Sequence, residues 1–240
     1  KSLEHYTQLG YDENTITGAT FAARNPGSWG NGIKVAIIDG KADQILNGIS
    51  TAGVSVGYGV TQSLSGKTDS TSGVGIALTN YYLKGIVTGV GSSSVLVKVL
   101  SRVSSAGTET VVDYQQNGDY SFTETGSVGV HTNGVLTPFA TRTYASELDW
   151  FGEQTISLSG STISWNNVAP RPGTSAFAAP RGSRFDEVHV VVIDDLGTVT
   201  GNAGTILEKH LSLSKASDAE FSVGSPSYWR KYLSNDSSYV

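Results

Sequence analysis

Between the turn dipeptides Asn31-Gly32 and Asp39-Gly40 lies the run Ile33-Lys-Val-Ala-Ile-Ile38, which leaves the chain little conformational choice. It is β-branched except at Lys34 and Ala36, and the residues that bound it tolerate φ > 0. The run is too short to stand as a helix, and β-branching suits a pleated, mostly buried strand. The turn before it holds Pro26-Gly27 and Asn31-Gly32 with Trp29 between them, so Trp29 is expected to plug that turn onto a core. Glu187 to Ile193 reads as the strongest strand of the chain. Ile206 to Leu213 returns from a loop that begins at Asp194-Asp-Leu-Gly; Leu207 and Leu211 alone would suit a helix, but with Leu213 they favour alternation and a second strand.

The middle has a different texture. Gly53 to Thr61, Tyr82 to Val90, Ser94 to Val103, Glu109 to Tyr114 and Asp119 to Glu124 are alternating or mixed β runs separated by Gly- and Ser-rich stretches. Short strands at such intervals predict an antiparallel sandwich or small barrel. Ser104-Ser-Ala-Gly reads as a hairpin loop, whereas 67–75 and 126–134 read as mobile. Outside this region, Lys1 to Leu9 is read as a helical turn, Thr15 to Ala23 as an edge strand and Ala42 to Leu46 as a connector. Ala145 to Gly152 is read as a short helix or aromatic turn. Thr155–Leu158 and Thr162–Trp165 form an expected hairpin about Ser159-Gly160, and Ser225-Pro-Ser starts a helix over Tyr228 to Leu233. The resulting plan is α+β and β-rich: a discontinuous domain of residues 1–50 and 140–240, with a β-rich domain of residues 51–139 inserted.

Composition excludes several functions. The net charge of −5 argues against nucleic-acid binding, which wants a basic face. Arg171, Arg181 and Arg184 are the nearest approach to a basic patch, and a solvated loop explains them more simply. Charged residues are 15% of the chain, well below the usual share, which suits a subunit packed in a large assembly and is shared by many secreted β-proteins. Without cysteine there is neither a disulfide framework nor a thiolate metal site. No run approaches a membrane span, so no membrane insertion is expected. The absence of methionine, even at position 1, implies trimming or a longer parent.

The search for catalytic chemistry yields no site: no catalytic, cofactor-binding or metal residue is assigned, and no cofactor is expected. There is no G-x-S-x-G elbow among the many serines. The histidines are His5, His131, His189 and His210. His189 and His210 sit on neighbouring predicted strands but lack a third ligand. Asp194-Asp195, Asp39 at a strand end, and Asp186-Glu187 could bind metal or move protons. Asp-Asp-Leu-Gly is also ordinary turn chemistry, which is the reading adopted. Trp29, Trp150, Trp165 and Trp229 could line a sugar groove, though tryptophan in such places is more often an anchor.

Four segments carry a resemblance. Asn25-Pro-Gly-Ser-Trp-Gly-Asn31 followed by an apolar strand resembles the turn-strand of contractile phage tail sheath proteins, in particular the T4-like sheaths of marine myoviruses. Trp165-Asn-Asn-Val-Ala-Pro-Arg-Pro172 fits the same family. So do His189 to Gly197 with Ile206 to Lys215, and Ser227-Tyr-Trp-Arg-Lys-Tyr to Val240. They fall at both ends of the chain, while 51–144 carries none. The resemblance implies the middle portion of a viral structural protein: an α/β sheath domain with an inserted, outward-projecting β domain. It further implies self-association as hexameric rings stacked helically around a tail tube, inside a virion tail assembled in the host cytoplasm. Contraction would reorient nearly rigid subunits while strand exchange keeps the lattice connected. The tail tube would be met through regions outside this chain. Two rivals are a β-rich host-surface binding or virion decoration module, and a glycan-active enzyme built on Asp or Glu with aromatic platforms.

Overall fold

The computed structural model describes residues 8, 20–25, 27–70, 75–123, 126–132 and 138–240. Its residues group into two compact units, one of 1–40 with 155–240 and one of 41–154. The helical turn expected over residues 1–9 lies outside the described residues, except for position 8, as do His5 and most of the strand expected at 15–23. The end of that expected strand, residues 20–23, is irregular.

In chain order, a 3-10 turn (Ser28–Gly32) leads into β1 (Ile33–Asp39) of the first unit. The second unit then contributes β2 (Gln44–Asn47), β3 (Gly59–Ser63), β4 (Thr68–Asp69), β5 (Ile76–Ala77) and β6 (Tyr81–Val90). It continues with β7 (Ser94–Ser104), β8 (Glu109–Val111), β9 (Ser127–His131), β10 (Ala140–Thr143) and β11 (Ser146–Asp149). The chain returns to the first unit with β12 (Thr155–Ser157), β13 (Thr162–Ser164), β14 (Glu187–Asp194) and β15 (Thr205–Ser214). β16 (Glu220–Ser222), β17 (Ser225–Pro226) and helix α1 (Trp229–Asp236) complete it.

The protein is β-rich, and the second unit is a curled antiparallel half-barrel. Its strands run β10-β9-β3-β6-β7-β2-β11, with β8 also pairing β7. The outermost strands, β10 and β11, are joined only by Tyr144-Ala145, so the curl brings the two rims to within about 11 Å, the reach of three extended residues. Alternation on β7 sends Val95, Val97 and Val99 inward, where they meet Leu46, Val60, Leu83, Val87, Val128 and Val130.

A segment that is not a strand fills this interior. Residues 120–123 alternate like a strand in sequence, yet they pair with no neighbour by ladder. Side chains substitute for it. Gln44 Nε2 donates to the Phe122 carbonyl (2.7 Å) and Gln44 Oε1 accepts from the Phe122 N–H (2.8 Å). Gln62 Oε1 accepts from the Thr123 N–H (3.1 Å), and the Tyr144 hydroxyl donates to the Thr123 carbonyl (3.3 Å). Buried backbone groups must find partners, and here two amides supply what a strand would. Phe122 is fully buried against Gly85, where a Cβ would come within 2.9 Å of the Lys98 carbonyl oxygen and 3.0 Å of the Phe122 ring. Arg102 Nη1 ties the same segment down, donating to Asp69 Oδ2 (2.7 Å) and to the Tyr120 hydroxyl (3.0 Å). Burial, then the hydrogen bond to Asp69, pushes the Tyr120 phenol up to about 12.

Several expectations are corrected here. Residues 44–47 form a strand rather than a connector, because polar Gln44 points into the core to reach Phe122. Residues 146–149 form an edge strand rather than a helix, and the aromatic turn expected over the same stretch is found at residues 150–153, with Trp150 and Phe151 buried. Of the segment 126–134 read as mobile, Ser127–His131 is a strand between β10 and β3, and residues 133–134 lie outside the described residues. Ser225–Pro226 pairs with β16, and α1 begins only at Trp229.

The first unit is built on the antiparallel sheet β1-β14-β15. β14 is buried along almost its whole length, as the run Val188 to Ile193, apolar except at His189, requires. One face packs Val188, Val190 and Leu213 against Leu233 of α1, with Phe21, Val35, Trp229 and Tyr232 around them. β15 carries a bulge opposite His189, with Ser212 at φ 54.

Candidate functional site

The first unit holds Asp39, Asp186, Glu187, Asp194, Asp195, His189 and His210, and each is committed to a structural task. Asp194, at the end of β14, is inaccessible to solvent. Its Oδ2 accepts from the Val199 N–H (3.0 Å), the Thr200 N–H (2.7 Å) and the Thr200 hydroxyl (2.9 Å), which organises the 195–204 loop. Burial opposes ionisation here, and the hydrogen bonds from Thr200 and Val199 outweigh it, holding the carboxyl below the usual range. Asp195 turns away: its Oδ1 accepts from the Ser159 N–H (2.7 Å) and its Oδ2 lies 3.5 Å from Lys34 Nζ. The adjacent pair therefore diverges, as turn chemistry expects.

Asp186 anchors the other end of the strand. Its carboxylate accepts from the Ser175 N–H (2.9 Å), the Ser175 hydroxyl (2.6 Å) and the Ser214 hydroxyl. Burial again raises its pKa, and the two serines more than reverse that. Glu187 accepts from the Gly173 N–H (2.8 Å), closing the base of a loop. Asp39 forms an exposed pair with Lys215 (2.8 Å).

The two histidines do not meet. On His189 the Ser212 N–H, freed from the ladder by the bulge, donates to Nδ1 (2.8 Å), so Nε2 carries the proton that goes to the Pro170 carbonyl (2.9 Å). Both ring nitrogens are spent. His210, paired with Val190, bonds Glu208 through Nε2 (3.0 Å) and packs edge-on against Tyr232. Glu208 also accepts from the Ser237 hydroxyl (2.6 Å) and the Ser238 N–H (2.7 Å), clamping the residues after α1 to β15. Burial raises the Glu208 pKa, and the bonds from Ser237 and His210 bring it below the ordinary value. In the second unit His131 is buried with Nε2 2.8 Å from the Thr61 hydroxyl. Among the described residues no three of His, Cys, Asp and Glu gather as a metal site, and no helix is long and apolar enough to cross a membrane.

The tryptophans are local anchors. Trp29 is half-buried rather than a core plug, with its ring edge-on to Tyr239 (6.1 Å) and its carbonyl accepting from the Thr198 hydroxyl (3.1 Å). Trp229 packs against Phe21 (5.8 Å), Trp150 is buried within the second unit, and Trp165 opens a 3-10 turn.

The loop of residues 174–186 leads into β14, and its residues 179–183 are exposed. Of Arg171, Arg181 and Arg184, the three arginines singled out in the sequence, Arg181 lies on the Phe177 ring with Cζ 3.6 Å from its centroid, and Arg184 lies over Phe185 at 4.4 Å. The signal for the first pair was the Phe177-x-x-x-Arg181 spacing. The second depends on the left-handed backbone of Phe185 (φ 60), which no local pattern announces. No family model matches the sequence, and no curated protein or solved structure is significantly similar to it.

Proposed function

We propose that the chain is a structural subunit of a contractile phage tail sheath, with the first unit as sheath domain and the half-barrel as an inserted module. One observation carries the reading. Every segment behind the family resemblance belongs to the unit of residues 1–40 and 155–240, and none to 41–154. They also meet there. β1, β14 and β15 form one sheet, Trp29 of the Gly-Ser-Trp-Gly turn reaches Tyr239, and Glu208 holds Ser237 and Ser238. Motifs scattered over the sequence and united in one packed body behave as a single inherited domain. The commitment of Asp186, Asp194, His189 and Glu208 to loop and tail anchoring supports a scaffold over a catalyst.

In this reading the copies associate with themselves as hexameric rings in a helical lattice around a tail tube, within the virion. An interface that maps one patch onto a different one propagates as an open helix. The test is electron microscopy of the parent polypeptide after expression and concentration. Tubes with a fixed helical rise are expected. A parent that stays monomeric at every concentration and instead binds glycans or host envelope saturably through residues 41–154 would replace the sheath reading with the host-binding one.

A further inference from the structure

The loop between β14 and the Trp165 turn is built more firmly than a solvated connector requires. Its base is closed twice at Gly173 and Glu187: the Gly173 N–H donates to Glu187 Oε2 (2.8 Å) and the Glu187 N–H to the Gly173 carbonyl (3.2 Å). One step up, the Phe185 N–H donates to the Thr174 hydroxyl (3.0 Å) and the Ser175 N–H to Asp186 (2.9 Å). The ends are thus adjacent and the loop packs on itself, as in an Ω-loop. Its tip is the 3-10 turn Ala179–Arg181, ended by Gly182 at φ 70. Phe185 adopts φ 60, a conformation that a bulky side chain keeps only when its surroundings impose it.

This frame orients a guanidinium. Arg181 is exposed, yet it is held flat on Phe177 and by one N–H to the Phe177 carbonyl (2.7 Å). A guanidinium fixed in this way loses little further freedom when its remaining N–H edge grips a planar carboxylate. No acidic residue lies between Gly173 and Phe185, in a chain whose net charge is −5. The loop is therefore positive and the rest of the protein carries the negative excess, so two copies are complementary where one loop meets another's body.

We propose that the Arg181–Arg184 tip docks on a carboxylate-bearing face of a second copy of this chain, an assignment that rests on the repeating-subunit reading above. Because the chain has no cysteine and the contact is ionic, the direct probe is a zero-length one. Arg181→Lys supplies an amine at the tip. Carbodiimide treatment of an equal mixture of ordinary and heavy-nitrogen chains, followed by peptide mass spectrometry, is expected to give mixed-isotope links from position 181 to an Asp or Glu. In sedimentation velocity, Arg181→Glu is expected to weaken self-association about tenfold or more and to flatten its salt dependence, with an unchanged thermal midpoint. Links found only within single-isotope chains, or Arg181→Glu associating like the unaltered protein, would overturn the docking assignment and leave the subunit reading intact. Retention on heparin at physiological salt that Arg181→Glu abolishes would also overturn it, assigning the tip to a polyanion. An unaltered protein that never self-associates would remove both.

Discussion

Replacing Gln44 by leucine removes the two bonds that stand in for a ladder around Phe122. The side chain is nearly isosteric and sits in the same core, so packing changes little. What changes is that the Phe122 N–H and carbonyl, 2.8 and 2.7 Å from the amide, lose their partners inside an apolar barrel. Each buried group left unsatisfied costs about 1–3 kcal/mol. Leucine's more favourable burial offsets part of the sum, leaving an expected loss of about 3 kcal/mol. With a urea dependence of about 1.5–2 kcal/mol per molar, the unfolding midpoint of the half-barrel falls by roughly 1.5–2 M. Hydrogen exchange of the peptide covering residues 120–123, followed through the urea series, isolates this unit from the other. A midpoint within about 0.3 M of the unaltered protein, with Phe122 still protected, would refute the view that glutamine side chains hold the segment in place.

Three further outcomes are expected. Gly85→Ala should destabilise the same unit by about 1–3 kcal/mol, read by urea unfolding, since the new methyl meets the Lys98 carbonyl and the Phe122 ring. Trp29→Ala should cost about 1–2 kcal/mol in thermal unfolding, less than the 3–5 of a fully buried aromatic, because its ring is half-exposed. Asp186, Asp194 and Glu208 all have folded pKa values below their ordinary ones, so the stabilisation they give is complete above the unfolded carboxylate range. It is lost as the pH falls from about 5 through the folded values, and Asp186→Asn should shallow that acid slope in a pH series of thermal melts.

The strands that the sequence discloses are those whose side chains obey one rule along their length. β1 and β14 are mostly apolar runs stopped at Asp39-Gly40 and Asp194-Asp195, β15 spaces Leu207, Leu211 and Leu213 among polar residues, and β6 and β7 alternate between Gly/Ser separators. β2 and the 120–123 segment defeat the same reading for linked reasons. Gln44 puts a polar residue on the core face of β2, hiding a strand, while its amide lets Tyr120 to Thr123 keep strand-like alternation without a strand beside them. In the other unit Asp194 was legible because a turn aspartate bonds locally. The fate of His189 was not, since it depends on a bulge at Ser212 some twenty residues away in the chain. The arginine loop was visible as composition only; its rigidity comes from Asp186 and Glu187, which lie outside the basic stretch.

The pairing of β2 with β11 has a mechanical consequence. Gln44 faces Asp149, and the Trp150 N–H donates to the Asp43 carbonyl (2.9 Å), so the half-barrel's incoming and outgoing strands leave side by side. Tension applied across residues 41 and 154 would peel that ribbon open one bond at a time, the weakest loading geometry a sheet offers. While the ribbon stays shut, however, the load is carried across those paired strands and does not reach the rest of the half-barrel's sheet.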